Sequence, residues 1–217
     1  MKLFHILILL FIISMIGFVF YSLSGGLSDK EYAHSIQQER EVKDAFMKND
    51  NDSPFRSVKT QTEKEVTDNT EIIAPLKYFP ADLKYRIVAT LEPIASKKNI
   101  LLPTSDGKEQ NYLEYGYAIF NLDGIENKLL ILEIMDMGSQ RGKLFLAFAD
   151  VTSAIETYGA GRYLDIKKVP GAGSITLDFN LAYNPYCAYS HIFSCPFPPK
   201  ENILKIAIKA GEKSYHQ

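Results

Sequence analysis

The chain opens on an unbroken apolar run, LFHILILLFIISMIGFVFY, with no charged residue from Leu3 to Tyr21. About 20 apolar residues span a bilayer as a helix, whereas a cleavable signal needs a core of only ~7–15. The length therefore favours an uncleaved anchor. Against it, Ser22-Leu23-Ser24 supplies small residues at the spacing of a cleavage site. Residues 1–24 are read as a signal-anchor or a signal peptide, and either one exports the rest of the chain. Lys2 and the amino terminus keep the start of the chain inside. His5 falls near the cytoplasmic interface of the segment and is incidental.

The pattern then turns polar. Ser28-Asp29-Lys30-Glu31 matches a capping box, in which Ser28 and Glu31 satisfy each other's orphan amides. A helix extends from Asp29 to Met47, with Tyr32, Ala33, Ile36, Val42 and Phe46 as its main apolar members. So thin a stripe predicts a surface or stalk element rather than core, and Glu39 and Lys43 are spaced to pair along it. Asn49-Asp50-Asn51-Asp52-Ser53-Pro54 ends the helix, because Pro54 disfavours helix at Ser53 and Asn/Asp favour turns. Residues 56–70 carry no apolar pattern beyond Val58 and Val66, so 25–70 reads as a charged helix and a polar linker.

From Ile72 onward alternation takes over. Short apolar or alternating runs cover Arg86 to Leu91, Ile100 to Leu102, Tyr112 to Asn121, Lys128 to Met135, Leu144 to Phe148, Arg162 to Ile166, Ile175 to Phe179 and Ile203 to Ile208. Asp123-Gly124 between two of them is a strong hairpin signal, and Asp106-Gly107 marks another turn. About eight strands joined by hairpin-type connections predict an all-β domain over 71–217. The expected form is mainly an antiparallel sandwich or small barrel, preceded by the N-terminal hydrophobic helix and the short charged helix.

Composition narrows the partners. A formal net charge of −2 over 217 residues, without a basic block, argues against nucleic acid. The expected partners are a membrane, through the N-terminal segment, and an unknown small ligand or envelope protein. Neither cysteine lies near the N-terminus, which excludes a lipid anchor on Cys. No nucleophile elbow, Walker sequence, His-Glu-x-x-His or Cys-x-x-Cys occurs, and no cofactor or metal is expected. With His5 in the apolar run, His34 on the helix and His216 at the end, only His191 is left for a Ser-His-Asp triad, which makes one improbable. The turns Gly159 to Gly161 and Gly171 to Gly173 do not lead from a strand into a helix, so they are read as positive-φ turns rather than phosphate loops.

Information concentrates towards the C-terminus. Tyr158-Gly-Ala-Gly-Arg-Tyr is succeeded by Asp178-Phe-Asn, Ala182-Tyr-Asn-Pro, Cys187, Cys195-Pro-Phe-Pro-Pro, Glu201-Asn202 and Ala210-Gly-Glu. In this succession the sequence resembles a bacterial family known as domain of unknown function 1684, over about residues 72 to 215 and more loosely over Glu39 to Phe55. The resemblance implies an exported β domain with no established activity, substrate or cofactor. Ile203 and Phe197 stand where family members often carry Arg and Leu.

Beside that resemblance, the residues themselves suggest a polar site. Asp178 and Asn180 share one strand face while Ile175, Leu177 and Phe179 share the other. Arg162 shares a face with Leu164 and Ile166, so its guanidinium points at an apolar layer and requires a partner. Asp178, Asp150, Glu201 and Glu212 are the candidates. Arg162, Asp178, Asn180, Tyr183, Asn184, Glu201, Asn202 and Glu212 form the candidate site. One reading is a pocket where Arg162 binds a carboxylate or phosphate beside Asp178. The other is a structural salt bridge with Asn184 capping a turn. Tyr158, Tyr163, Tyr183, Tyr186 and Tyr189 would line a groove or pack as rim and core.

In an exported protein Cys187 and Cys195 are expected to form a disulfide, contributing roughly 2–3 kcal/mol. The Cys-x3-His-x3-Cys spacing around His191 supplies too few ligands for a standard zinc site. Three functions fit these residues: a binding module using the Arg162/Asp178/Asn184 face, a hydrolase or transferase with Asp178 or Glu201 as acid–base group, or a purely structural domain.

Overall fold

The computed structural model describes residues 28–55, 74–135 and 138–215. The apolar run Leu3 to Tyr21, the polar linker and His216 lie outside these residues. Among the described residues no helix is long and apolar enough to cross a membrane.

Helix α1 (Asp29–Asn49) starts where the sequence predicts. Ser28 Oγ accepts from the Glu31 amide at 3.3 Å, and Glu31 Oε2 accepts from the Ser28 amide at 3.0 Å. It is not the free stalk that its thin stripe suggests. Tyr32, Ile36 and Met47 are fully buried against the rest of the protein, while Val42 is exposed. Lys43 ignores the neighbouring Glu39 and pairs with Glu212 instead. The helix docks through polar tips as well as through Ile36 and the cluster of Met47 with Phe55 and Tyr189, so its apolar stripe alone underestimates its attachment. Tyr32 carries much of that: its hydroxyl donates to Asp178 Oδ1 at 2.6 Å and accepts from Asn180 Nδ2 at 2.8 Å. Tyr32→Phe is expected to cost about 1–2 kcal/mol of stability, measurable as a lowered denaturation midpoint. An unchanged midpoint would mean that the helix is held elsewhere.

The remainder is one curled antiparallel sheet of seven strands, a half-barrel rather than a two-sheet sandwich. Its strands are β1 (Arg86–Pro93), β2 (Asn99–Pro103), β3 (Glu109–Leu122), β4 (Ile125–Ile134), β5 (Leu144–Phe148), β6 (Arg162–Ile166) and β7 (Ser174–Asp178). The order is β6-β5-β4-β3-β1-β7, with β2 paired to the first half of β3. At the predicted hairpin, Asp123 and Gly124 both adopt positive φ, 55° and 79°, as a two-residue turn between twisted strands requires. Gly161 and Gly171 also have positive φ, whereas Gly159 and Gly173 do not.

Two apolar clusters cover opposite faces of the sheet. One includes Phe120, Leu129, Ile131, Leu146, Phe148, Leu177 and Phe179, and the other includes Tyr112, Leu130, Leu132, Phe145, Ala147 and Tyr163. Strand β5 is consequently buried along its whole length. Such double coverage explains why Leu144 to Phe148 reads as a continuous apolar run.

The eighth expected strand, Ile203 to Ile208, does not form. Leu204 and Ile208 are buried as their apolarity demands, but the backbone there is bonded by side chains and isolated bridges. Asp150 Oδ1 accepts from the Ile208 amide at 3.2 Å, and Arg162 Nη2 donates to the Ile208 carbonyl at 2.9 Å. Buried amides and carbonyls must be satisfied, and here side chains and single bonds to the 149–151 backbone satisfy them in place of a ladder.

Candidate functional site

The residues singled out from the sequence divide into anchoring groups that are used up internally and a smaller set that faces a cleft. Arg162, at 1% exposure, is the foremost anchor. Its Nη2 pairs with Asp150 Oδ2 at 2.9 Å, and its guanidinium also donates to the carbonyls of Ile208, Ala210 and Glu212. The Phe148 ring lies 5.2 Å from its Cζ. Burial pulls the guanidinium below its usual range and Asp150 pushes it back. Among the described residues only its buried Nε has no partner, and the enclosed group ties the C-terminal segment to β6.

The other anchors obey the same logic. Asp178 holds Tyr32, caps the turn at Asn180 and lies 3.7 Å from Arg86, not beside Arg162. Asn180 accepts from the Asp82 amide and donates to the Asp82 carbonyl. Asn202 wedges between β4 and β5 where their two-residue ladder ends. It bonds the Leu130 amide and carbonyl and the Ala147 carbonyl at 2.7–2.9 Å. Asn184 gives its amide to Glu212 Oε2 at 2.7 Å and its side chain to the Lys213 carbonyl at 2.8 Å. Glu201 is exposed on a short turn before Asn202. Asp178 is held by Tyr32 and Asn180 while Glu201 is exposed, and no described contact brings the expected acid–base groups together.

Glu212 behaves differently. It is 1% exposed, and its Oε2 accepts from the Tyr189 hydroxyl at 2.6 Å as well as from Asn184. Its Oε1 lies 2.5 Å from Lys43 Nζ, off the axis of an aligned hydrogen bond, so this oxygen is neutralised in charge only. Lys43 in turn sits 4.5 Å from the centre of the Tyr183 ring. The Tyr183 hydroxyl donates to Asp165 at 2.8 Å.

These groups line a cleft of about 210 Å³ between α1, β6 and the Asn180–Tyr183 stretch. Glu39, Arg40 and Lys43 come from the helix, and Tyr78 forms part of the wall. Arg40 Cζ lies 4.6 Å over the Tyr78 ring, whose hydroxyl donates to Asp44 at 2.8 Å. Among the described residues Nε and Nη2 of Arg40 are shut off from water and have no hydrogen-bond partner. Burial pulls this guanidinium below its usual range. Arg40, Tyr78 and Asp165 were not legible as site residues in the sequence, and Lys43 only as a partner for Glu39 along the helix. The one available signal was that Arg40 and Lys43 are three residues apart and share a helix face, which becomes meaningful only once the helix is docked.

Cys187 and Cys195 are buried free thiols where a bridge was expected. Cys195 Sγ accepts from the Cys187 amide at 3.2 Å, and Tyr158 Oη lies 3.9 Å from Cys187 Sγ. Bonding from Cys195, then from Ser105 and Tyr158, draws the Cys187 thiol down to about 6 against the opposing effect of burial. The same thiol contact and burial push Cys195 up. His191, between them in sequence, is exposed. Among the described residues no three His, Cys, Asp or Glu side chains gather as a metal site. Of the tyrosines, Tyr163 and Tyr189 pack in the core and Tyr183 lines the cleft.

No curated protein matches the chain. Among solved structures it is similar to an uncharacterized protein from gene locus rrnAC0354 of Haloarcula marismortui, determined by solution NMR. The two share 31% identity with a TM-score of 0.61, over 87% of this chain and 97% of that one. A family model described as protein of unknown function DUF1684 matches residues 73–213, spanning the whole sheet and the segments that Arg162 and Glu212 tie down. The chain belongs to the DUF1684 family.

Proposed function

We propose that this protein is an exported, membrane-associated module that binds a small polar ligand in the cleft between α1 and β6. The observation that carries the reading is the contrast among its buried charges. Arg162, outside the cleft lining, is paired with Asp150 and three carbonyls, with only its Nε left unmade, and Asp178 is held by Tyr32 and Asn180. Arg40 keeps a dehydrated donor edge without a partner next to a cleft. Leaving such donors unmade costs roughly 1–3 kcal/mol, a cost that a ligand can recover. The ligand site thus moves from the Arg162/Asp178/Asn184 face to its neighbour. Asn180, Tyr183 and Glu212 are the candidate residues that it retains.

Export rests on the uncharged run Leu3 to Tyr21, which supports a domain outside the cytoplasm, anchored to the inner membrane or released after cleavage. There the neighbouring thiols of Cys187 and Cys195 meet an oxidising milieu. Exchange with a low-molecular-weight disulfide would join them and transfer their two hydrogens to the departing thiols.

Native mass spectrometry of the full chain, purified from its membrane without reductant, tests both parts. The expected result is a mass lower by two hydrogens, with a small-molecule adduct on the wild type that Leu181→Trp removes by filling the cleft. Reduced thiols in freshly isolated protein would count against export. An adduct retained by Leu181→Trp would place the ligand elsewhere.

A further inference from the structure

We infer that the cleft takes a free α-amino acid with a small side chain, an inference that rests on the reading of the cleft as a ligand site. Three features of the lining point the same way. The first is the unsatisfied edge of Arg40. Nε and Nη2 carry parallel N–H groups on one side of the guanidinium, the fork that two carboxylate oxygens match. The stack on Tyr78 holds the plane of the group. A carboxylate that draws this edge into the cleft meets both donors at once.

The second feature is the balance of charge around it. Lys43 is committed to Glu212 and is not free to recruit an anion. Glu39 has no ion pair among the described residues, and Asp165 is met by the neutral Tyr183 hydroxyl alone. Arg40 makes no ion pair among the described residues and feels Asp44 and Glu212 only at longer range, so the cleft offers one unpaired cation and two unpaired carboxylates. A simple anion satisfies Arg40 but faces Glu39 and Asp165, while a simple cation faces Arg40. A molecule carrying both charges a few ångströms apart satisfies both sides. The third feature is size. About 210 Å³ is below the roughly 300–1,000 Å³ of sites for drug-sized ligands, and the Leu164, Leu181 and Ala182 surface suits a short apolar side chain.

The test is saturation-transfer NMR on the full chain in deuterated detergent micelles. The probes are alanine, propionate (no ammonium), alaninamide (no carboxylate) and inorganic phosphate. The expected result is transfer to alanine that Leu181→Trp abolishes, with affinity at least tenfold weaker for propionate and for alaninamide. Arg40→Gln is expected to weaken alanine binding at least tenfold. Arg40→Lys keeps the charge but loses the fork, and should weaken it nearly as much; it also carries the test if Arg40→Gln does not fold. Propionate, alaninamide or phosphate binding in the cleft as well as alanine would overturn the zwitterion and leave the binding module standing. No transfer to any probe that Leu181→Trp abolishes would overturn both.

Discussion

Arg162→Ala is expected to destabilise the protein by about 3–5 kcal/mol, the usual cost of removing one partner from a buried ion pair. That is a large share of the ~5–15 kcal/mol by which a domain is typically stable. The loss has two parts. Asp150, at 0% side-chain exposure, keeps a buried charge without its counter-ion. The carbonyls of Ile208, Ala210 and Glu212 lose their donor together, in a stretch with no ladder to replace it. The carbonyl of Glu212 belongs to the residue whose carboxylate faces the cleft, so the damage extends to the ligand site. Arg162→Lys restores the charge but not the planar fork, and should recover only part of the loss. Urea unfolding followed by circular dichroism measures both. An alanine variant within 1 kcal/mol of wild type, on the order of an ordinary surface substitution, would show that the C-terminal segment is held by other contacts.

Gly211→Ala is expected to cost about 2–5 kcal/mol, combining a strained left-handed residue with overpacking. Gly211 has φ +75°, and a Cβ there would lie 2.5 Å from the Ala182 carbonyl oxygen, 2.7 Å from that of Phe179 and 2.9 Å from Ala182 Cβ. Two of these are backbone atoms, which cannot swing aside. Relief requires the 210–212 stretch to move away, and that breaks the 2.9 Å bond from the Glu212 amide to the Ala182 carbonyl. Gly124→Ala is the matched control. Its φ is +79°, but nothing lies within 4 Å of the added carbon, so only the backbone preference, about 1–2 kcal/mol, is lost. Denaturation midpoints of the two variants should differ clearly. Equal midpoints would mean that the close approach at Gly211 is relaxed at little cost.

Both predictions concern motif residues that stood out in the sequence, and both assign them a structural task. Arg162 was recognisable as a charge pointing at an apolar face. Asp150 was one of four possible partners, and no periodicity distinguishes it from Asp178, Glu201 or Glu212, because the choice depends on which loop the curled sheet brings against β6. Asn202 looked like a site amide. Its role as a wedge depends on β4 and β5 separating after two paired residues, a consequence of sheet curvature that no single strand encodes locally.

Features governed by short-range chemistry were legible in the amino-acid order alone. The capping box at Ser28, the hairpin at Asp123-Gly124 and the positions of β5 and β6 depend on residues within a few places of one another, and they form as read. The missing strand at Ile203 to Ile208 marks the limit. Leu204 and Ile208 are buried while Ile203 is exposed, and whether such a segment becomes a strand depends on what bonds its backbone, here single bonds to the 149–151 backbone together with Arg162 and Asp150, about 50 residues away. The cleft was out of reach for the same reason. Arg40 and Lys43 look like ordinary solvent-facing charges until Tyr32, Asp178 and Asn180 dock the helix onto the sheet. Which cation kept a partner and which did not was settled by the folded arrangement, because pairing depends on distance in space and propensity on neighbours in sequence.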